Sequence, residues 1–235
     1  MNIAVIFAGG VGKRMRNVGM PKQFLKIHGM PIIIHTLQKF QECEEIDAIT
    51  IACVETHIEY MEKLVEEYRI TKVKKIVVGG TTGQESIYNA LKAANELSNN
   101  EDDIVLIHDG VRPIIDSDLN VKKNGSAISS VPQKETTIML DEQKQYITEV
   151  TNREFTYIAR APQSFFLKEL LECHNKALKE GKNNFIDSAS LMMNYGKKLS
   201  IVECNTDNLK ITTPDDFYIV RAILEARENM QIFGG

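Results

Sequence analysis

No apolar run in this chain approaches the roughly 20 residues that span a bilayer. The first residues enter a core strand directly, without the cationic stretch and small-residue cleavage site of a secretory leader. A cytoplasmic protein is therefore expected. An excess of positive charge is missing too: 28 Lys and Arg stand against 32 Asp and Glu, a formal net charge of −4. That balance argues against a surface that coats nucleic acid. The four cysteines, Cys43, Cys53, Cys173 and Cys204, form no C-x-x-C pair, so a zinc or redox motif is not expected and they read as buried reduced thiols. The five histidines are equally dispersed, and only His108 falls inside a motif. Nothing rich in proline, glycine or serine interrupts the chain, and no internal repeat appears. One domain spanning residues 1–235 follows, long enough to bury a large core.

What is present alternates between strand and helix patterns, the signature of βαβ units around a mostly parallel sheet. Strands are expected at Ile3–Phe7, Ala48–Val54, Lys74–Val78 and Asp103–Ile107. Helices are expected at Pro31–Phe40, Ile58–Tyr68 and Ser86–Leu97, the last carrying Ile87, Ala90, Leu91 and Ala94 on one face. The pattern then changes. Ser126–Val131, Thr136–Leu140 and Tyr146–Val150 read as strands, the last two flanking the polar turn Asp141-Glu-Gln-Lys144, and residues 136–160 are expected to form a projecting arm. Helices at Leu167–Glu180 and Ser188–Tyr195, a strand at Leu199–Glu203 and a helix at Asp215–Asn229 complete the chain.

Three constellations could carry chemistry. The first opens the chain: a strand delivers Ala8-Gly9-Gly10-Val-Gly12-Lys13-Arg14, and Lys22 follows after a short spacer. Glycines let backbone amides approach a polyphosphate closely, and the three cations supply charge at the same place. A dinucleotide-binding turn would want an acidic residue about 20 residues after the glycines, where this chain has the basic run Phe24-Leu-Lys-Ile-His28. A Walker Gly-Lys-Ser/Thr is also absent. In the second, an apolar strand ends in His108-Asp109-Gly110-Val-Arg112. Ligands in open α/β sheets bind beyond the carboxyl ends of strands, so Asp109 and Arg112 suit a metal and a phosphate, while His108 reads as structural. The third is Asp207-Asn-Leu-Lys210-Ile-Thr-Thr-Pro-Asp-Asp216. Its last four residues explain themselves as a helix start with proline at the first turn. Asp207 and Lys210, expected on a short strand before that helix, remain as candidates.

These pieces together resemble the cytidylyltransferases that make CDP-activated polyols, a family that includes methylerythritol-phosphate and ribitol-5-phosphate cytidylyltransferases. The resemblance runs in order through Ala8–Met15, Pro21-Lys-Gln23, Gly79-Gly80 with Ser86, His108–Pro113, Ala161-Pro-Gln-Ser-Phe165, Asp187-Ser-Ala-Ser190 and Asn208–Pro214. It implies a Rossmann-like nucleotidyltransferase fold and a homodimer clasped by the arm. It also implies a reaction in which CTP and a polyol phosphate give a CDP-polyol and pyrophosphate with Mg²⁺. By the same resemblance, Arg14, Lys22 and Lys210 would be catalytic cations. Ala8, Gly9, Gly10, Gly12, Lys13, Gly80 and Ser86 would hold the nucleotide. Arg112, Thr136 and Arg153 would address the polyol phosphate, Arg153 in the partner's site, and Asp109 with Asp207 would bind the metal.

The chain departs from the family pattern in three places. Gly83 stands where an arginine is usual, Ala161 where a threonine is usual, and the segment Asp116–Lys123 is shorter than the helix the family has there. Ribitol 5-phosphate is the favoured acceptor, with methylerythritol 4-phosphate and a glycerol phosphate as alternatives. From other classes, an NAD(P)-binding oxidoreductase and a catalytically dead nucleotide-binding protein stay open.

Overall fold

A computed structural model describes residues 1–10, 20–98, 100–115 and 126–233, with 231–233 as backbone only. Gly12, Lys13, Arg14 and the segment 116–123 lie outside the described residues. The first half of the chain contributes β1 (Asn2–Ala8), a two-stranded ribbon of β2 (Lys26–Ile27) and β3 (Met30–Pro31), α1 (Ile32–Glu42), β4 (Ala48–Cys53), α2 (Ile58–Glu67), β5 (Val73–Val78), α3 (Gly83–Leu97) and β6 (Ile104–Asp109). The second half contributes β7 (Ala127–Pro132), a hairpin of β8 (Ile138–Leu140) and β9 (Ile147–Val150), β10 (Tyr157–Phe166), α4 (Leu167–Lys179), α5 (Ser188–Asn194), β11 (Ser200–Glu203) and α6 (Pro214–Phe233).

Seven strands form the central sheet in the order β11-β7-β10-β6-β1-β4-β5. All its pairings are parallel except those of β10, which runs antiparallel between β6 and β7. The α/β reading with a mostly parallel sheet therefore holds. β1 shows why: its run of apolar residues is covered on both faces, as parallel strands require. Ala4, Ile6 and Ala8 pack toward α1 and α2, while Ile3 and Val5 pack toward α3, α4 and α5. A third cluster seats α6, through Val220 and Phe217, on Ile27, Ile32, Val111 and Ile211. From β1 the chain winds outward to β4 and β5, then returns to the opposite side of β1 for β6. The carboxyl ends of β1 and β6, where Phe7 is in register with Asp109, thus form the topological switch point of the sheet.

The fold differs from the expected pattern in three places. The central sheet reclaims the end of the expected arm, since Tyr157 already pairs with Pro132. What projects is the β8–β9 hairpin, which exposes Ile138, Met139, Ile147, Val150 and, just beyond it, Phe155. β10 itself is absent from the expected list although it is the longest strand. Asp207–Lys210 is no strand: the segment is held by a turn bond from the Leu209 amide to the Asp207 carbonyl (2.7 Å), and the Ile211 amide donates to Val111 (2.9 Å). No ladder partner runs alongside it.

Candidate active site

β1 ends at Ala8, and Gly9 and Gly10 carry the chain away from the sheet. Close approach explains two of the glycines. A β-carbon on Gly9 would lie 2.7 Å from the Ser86 hydroxyl, and one on Gly79 would lie 3.1 Å from the Gly9 Cα. The turns after β1 and β5 therefore pass back to back, with Ser86 between them. The Ser86 hydroxyl accepts from the Gly80 amide (3.0 Å) and donates to the Thr82 carbonyl (2.9 Å). Thr82 in turn caps α3 by accepting from the Glu85 amide (3.1 Å), so the positive end of that helix faces the same opening.

This opening is a cleft of about 530 Å³ whose lining includes Ala8, Gly9, Gly10, Lys22, Gly80, Ser86, Asp109 and Lys210. Lys22 begins a short 3-10 turn, Lys22–Phe24, and its Nζ donates to the Ile211 carbonyl (2.8 Å). Next to it, buried Gln23 donates to the Ala8 carbonyl (2.7 Å) and clamps the turn onto the end of β1. A second cavity of about 300 Å³ lies alongside, lined by Arg112, Arg160, Gln163, Asp187 and Ser188 among others. Phe7, Gly83, Asp109 and Lys210 line both. The two spaces meet at a wall made of one carboxylate, one ammonium, one ring and one bare backbone.

Asp109 is the electrostatic centre of that wall. One carboxylate oxygen pairs with the Lys210 ammonium, and the other accepts from the Arg112 Nε (3.2 Å). Arg112 is nearly buried and also donates to the Asn208 carbonyl (2.8 Å). Burial pushes the Asp109 carboxyl up, but Lys210 and then Arg112 outweigh it and hold the group below its ordinary value. It is ionised at neutral pH. The Lys210 ammonium also sits 5.6 Å from the centre of the Phe7 ring, a cation–π contact that keeps it over the shared wall.

His108, next to Asp109 in β6, is held inside the fold. Fully buried, its Nε2 bonds the Arg112 carbonyl (3.0 Å) and its ring packs edge-on against Phe40. Burial lowers its pKa to about 4, and burial alone does the same to His174. The sign of the consequence is fixed. An unfolded chain takes up these protons near pH 6.5 and the native one only near pH 4, so stability rises with pH across that window. Acidifying from pH 7 to 5.5 should cost roughly 1 kcal/mol per histidine. Urea midpoints measured at the two pH values, for the protein and for His174→Phe, check this.

Other expected site residues are placed elsewhere. Asp207 pairs with Arg227 of α6 and lines neither cavity. Thr136 and Arg153 meet each other on the arm, Arg153 Nη2 donating to the Thr136 hydroxyl at 3.2 Å, and line neither cavity in the same chain. The motif reading did not single out Gln163, which ties β10 to α5 by donating to Asp187 (2.9 Å) and accepting from the Ala189 amide (3.1 Å). Arg160 was likewise without a sequence signal.

Among the described residues no group of three or more His, Cys, Asp or Glu could form a protein-only metal cage. The donor set at the wall is the single carboxylate of Asp109. That suits a hard ion such as Mg²⁺, which takes one or two carboxylates and fills its remaining positions from water and substrate phosphates. Among the described residues no helix is long and apolar enough to cross a membrane.

The comparisons with known proteins agree with this geometry. Residues 2–226 match the family described as IspD: 2-C-methyl-D-erythritol 4-phosphate cytidylyltransferase. Over 240 residues the chain is 50% identical to a ribitol-5-phosphate cytidylyltransferase of Streptococcus agalactiae, covering 100% of both proteins. It is 39% identical over 230 residues to a 2-C-methyl-D-erythritol 4-phosphate cytidylyltransferase of Clostridium botulinum, covering 95% of this chain and 97% of that one. The crystal structure of 4-diphosphocytidyl-2C-methyl-D-erythritol synthase from Anaerococcus prevotii superposes with a TM-score of 0.80 at 27% identity, covering 95% of this chain and 96% of that one. These matches set aside the oxidoreductase alternative. A glycine-rich turn at a sheet switch point, a carboxylate–ammonium wall between two cavities and full-length likeness to such enzymes lead to one conclusion: the chain belongs to the IspD family of cytidylyltransferases.

Proposed function

We propose that this protein transfers CMP from CTP to ribitol 5-phosphate, giving CDP-ribitol and pyrophosphate. The observation that carries the choice of acceptor is the 50% identity, over the whole of both chains, to an enzyme of that name. The geometry supports a two-substrate reaction. CTP fits the larger cleft, with the glycine turns and the start of α3 around it, and the polyol phosphate fits the second cavity. Their reacting groups then meet at Asp109 and Lys210, the wall that both spaces share.

The chemistry asks little of a general base. An acceptor phosphate oxygen, already ionised at neutral pH, attacks the α-phosphorus, and the bond from that phosphorus to the bridging oxygen of the β-phosphate breaks. Pyrophosphate leaves, and no proton has to move. Catalysis then consists of positioning and neutralising charge. Lys22 and Arg14 are assigned to the triphosphate, Lys210 to the charge that grows at the α-phosphate, and Arg112 to the acceptor phosphate. Asp109 would hold Mg²⁺ in company with the phosphates, and the ion would supply charge neutralisation and alignment. Neutral, buried His108 keeps the backbone after Asp109 in place.

The exposed apolar face of the β8–β9 hairpin supports pairing with a second copy of the chain, which would bring Arg153 and Thr136 toward the partner's second cavity. Sedimentation equilibrium should give twice the chain mass at micromolar concentration, and a single-chain mass would remove this part of the reading. The reaction itself is tested by pyrophosphate release with CTP and Mg²⁺ against ribitol 5-phosphate, methylerythritol 4-phosphate and glycerol 3-phosphate. Ribitol 5-phosphate should give the highest kcat/KM. Faster turnover of either competitor would reassign the acceptor, and no turnover of any by folded protein would reject the reading.

A further inference from the structure

The second cavity contains a cation that the reaction as described does not use. Arg160 lies in β10 where the ladder to β7 loses register between Ala159 and Gln163. A regular strand sends successive side chains to opposite faces, whereas irregularities of this kind re-aim them. Here three consecutive residues, Ala159, Arg160 and Ala161, line the one cavity. The two alanines offer the guanidinium no polar partner.

Nor does anything else among the described residues. The Arg160 Nε is buried without a hydrogen-bond partner, and no carboxylate is paired with the group. Its charged neighbour is a second arginine. Burial disfavours the charged form of Arg160 first, and the Arg112 guanidinium disfavours it further. Arg112 is itself answered by Asp109 and the Asn208 carbonyl; Arg160 is not. A half-desolvated cation beside a like charge is costly unless an anion arrives to meet it. The planar fork of a guanidinium matches a phosphate, and two forks can hold a dianion while leaving an oxygen free.

We propose that Arg160 binds the acceptor's phosphate together with Arg112, making the second cavity selective for acceptors that carry a phosphomonoester. This deepens the functional reading above and rests on it. Without a partner among the described residues, the Arg160 guanidinium would be answered by that phosphate. Arg160 is thus a substrate-binding residue whose cost falls on the free protein.

The test uses full-length Arg160→Gln and Arg160→Lys. In steady state with ribitol 5-phosphate varied, Arg160→Gln should raise the acceptor KM at least tenfold while the CTP KM stays within twofold, and Arg160→Lys should recover part of the loss. Without ligand, the melting temperature of Arg160→Gln should be unchanged or higher, because an unanswered charge has gone. Millimolar inorganic phosphate should raise the melting temperature of the parent protein more than that of Arg160→Gln. An unchanged acceptor KM, or equal protection by phosphate, overturns the proposal. A large fall in melting temperature with an unchanged KM assigns Arg160 a packing role instead. If the parent protein turns over no polyol phosphate, the functional reading fails, and the phosphate protection alone then decides the role of Arg160.

Discussion

Lys210→Gln should lower kcat by about 10²–10³-fold, the range seen when one donor to a developing oxyanion is removed, while the protein stays folded. Glutamine keeps much of the length and the hydrogen-bonding capacity but not the charge. In the resting site the Lys210 ammonium is tied to Asp109 and held over Phe7 on the wall common to both cavities. Few positions in the fold border both cavities, and this one carries a cation whose side chain is 39% exposed. In the transition state negative charge accumulates between attacking and leaving oxygens, so a cation there acts on kcat more than on either KM. Stability should change little, because Arg112 still answers the buried carboxylate. Rapid-quench single turnover separates this from an effect on product release. A burst of unaltered rate in Lys210→Gln would show that Lys210 does not act in the chemical step.

Asp109→Asn should do more damage to the protein than its single-atom change suggests. Asp109 is 5% exposed, and its carboxylate faces two cations, Lys210 and Arg112. An amide can accept from one of them, but its NH₂ then confronts the other as donor against donor. Breaking a buried pair by removing one partner costs about 3–5 kcal/mol, because a charge is left without compensation. At the lower end of that range a protein of this size loses roughly 6–12 °C of melting temperature. The same substitution takes away the carboxylate assigned to Mg²⁺, so turnover should fall by at least the Lys210→Gln factor. Calorimetry and Mg²⁺ titration of residual activity divide the two effects. A melting temperature within a degree of the parent protein would mean that the Asp109 cluster is not a stabilising centre.

How much of this was legible in the sequence depends on how far each residue's partner lies along the chain. Asp109 was readable because an apolar strand ending in an acid next to glycine already points to a sheet end. The structural part of His108 was readable for the same local reason. β10 was not, because Pro162 breaks an otherwise strand-like run, and proline argues against a central strand. The fold tolerates it because the residue lies where the ladder to β7 is already out of register and asks for no amide donor. Asp207 resembled a site acid because nothing nearby accounts for it; the partner that does, Arg227, is one helix away. Lys210 was singled out with its position in the fold misjudged, since a segment docked by isolated turn bonds has no periodicity to read. Arg160 was silent because an arginine on a half-exposed strand is unremarkable until its lack of a counterion among the described residues is seen.

The two cavities draw on different stretches of chain. Apart from the shared wall, the larger cleft is built mainly from residues before Ile87, whereas much of the smaller cavity comes from Ala159 onward. With CTP in the former and the acceptor in the latter, as proposed, activation and delivery are encoded in separable portions of one gene. Substitutions in β10 and α5 can retune which alcohol phosphate is accepted without disturbing the handling of CTP. A descendant enzyme with a new acceptor should differ from this one chiefly in its second half, and directed evolution toward such an enzyme has reason to begin there.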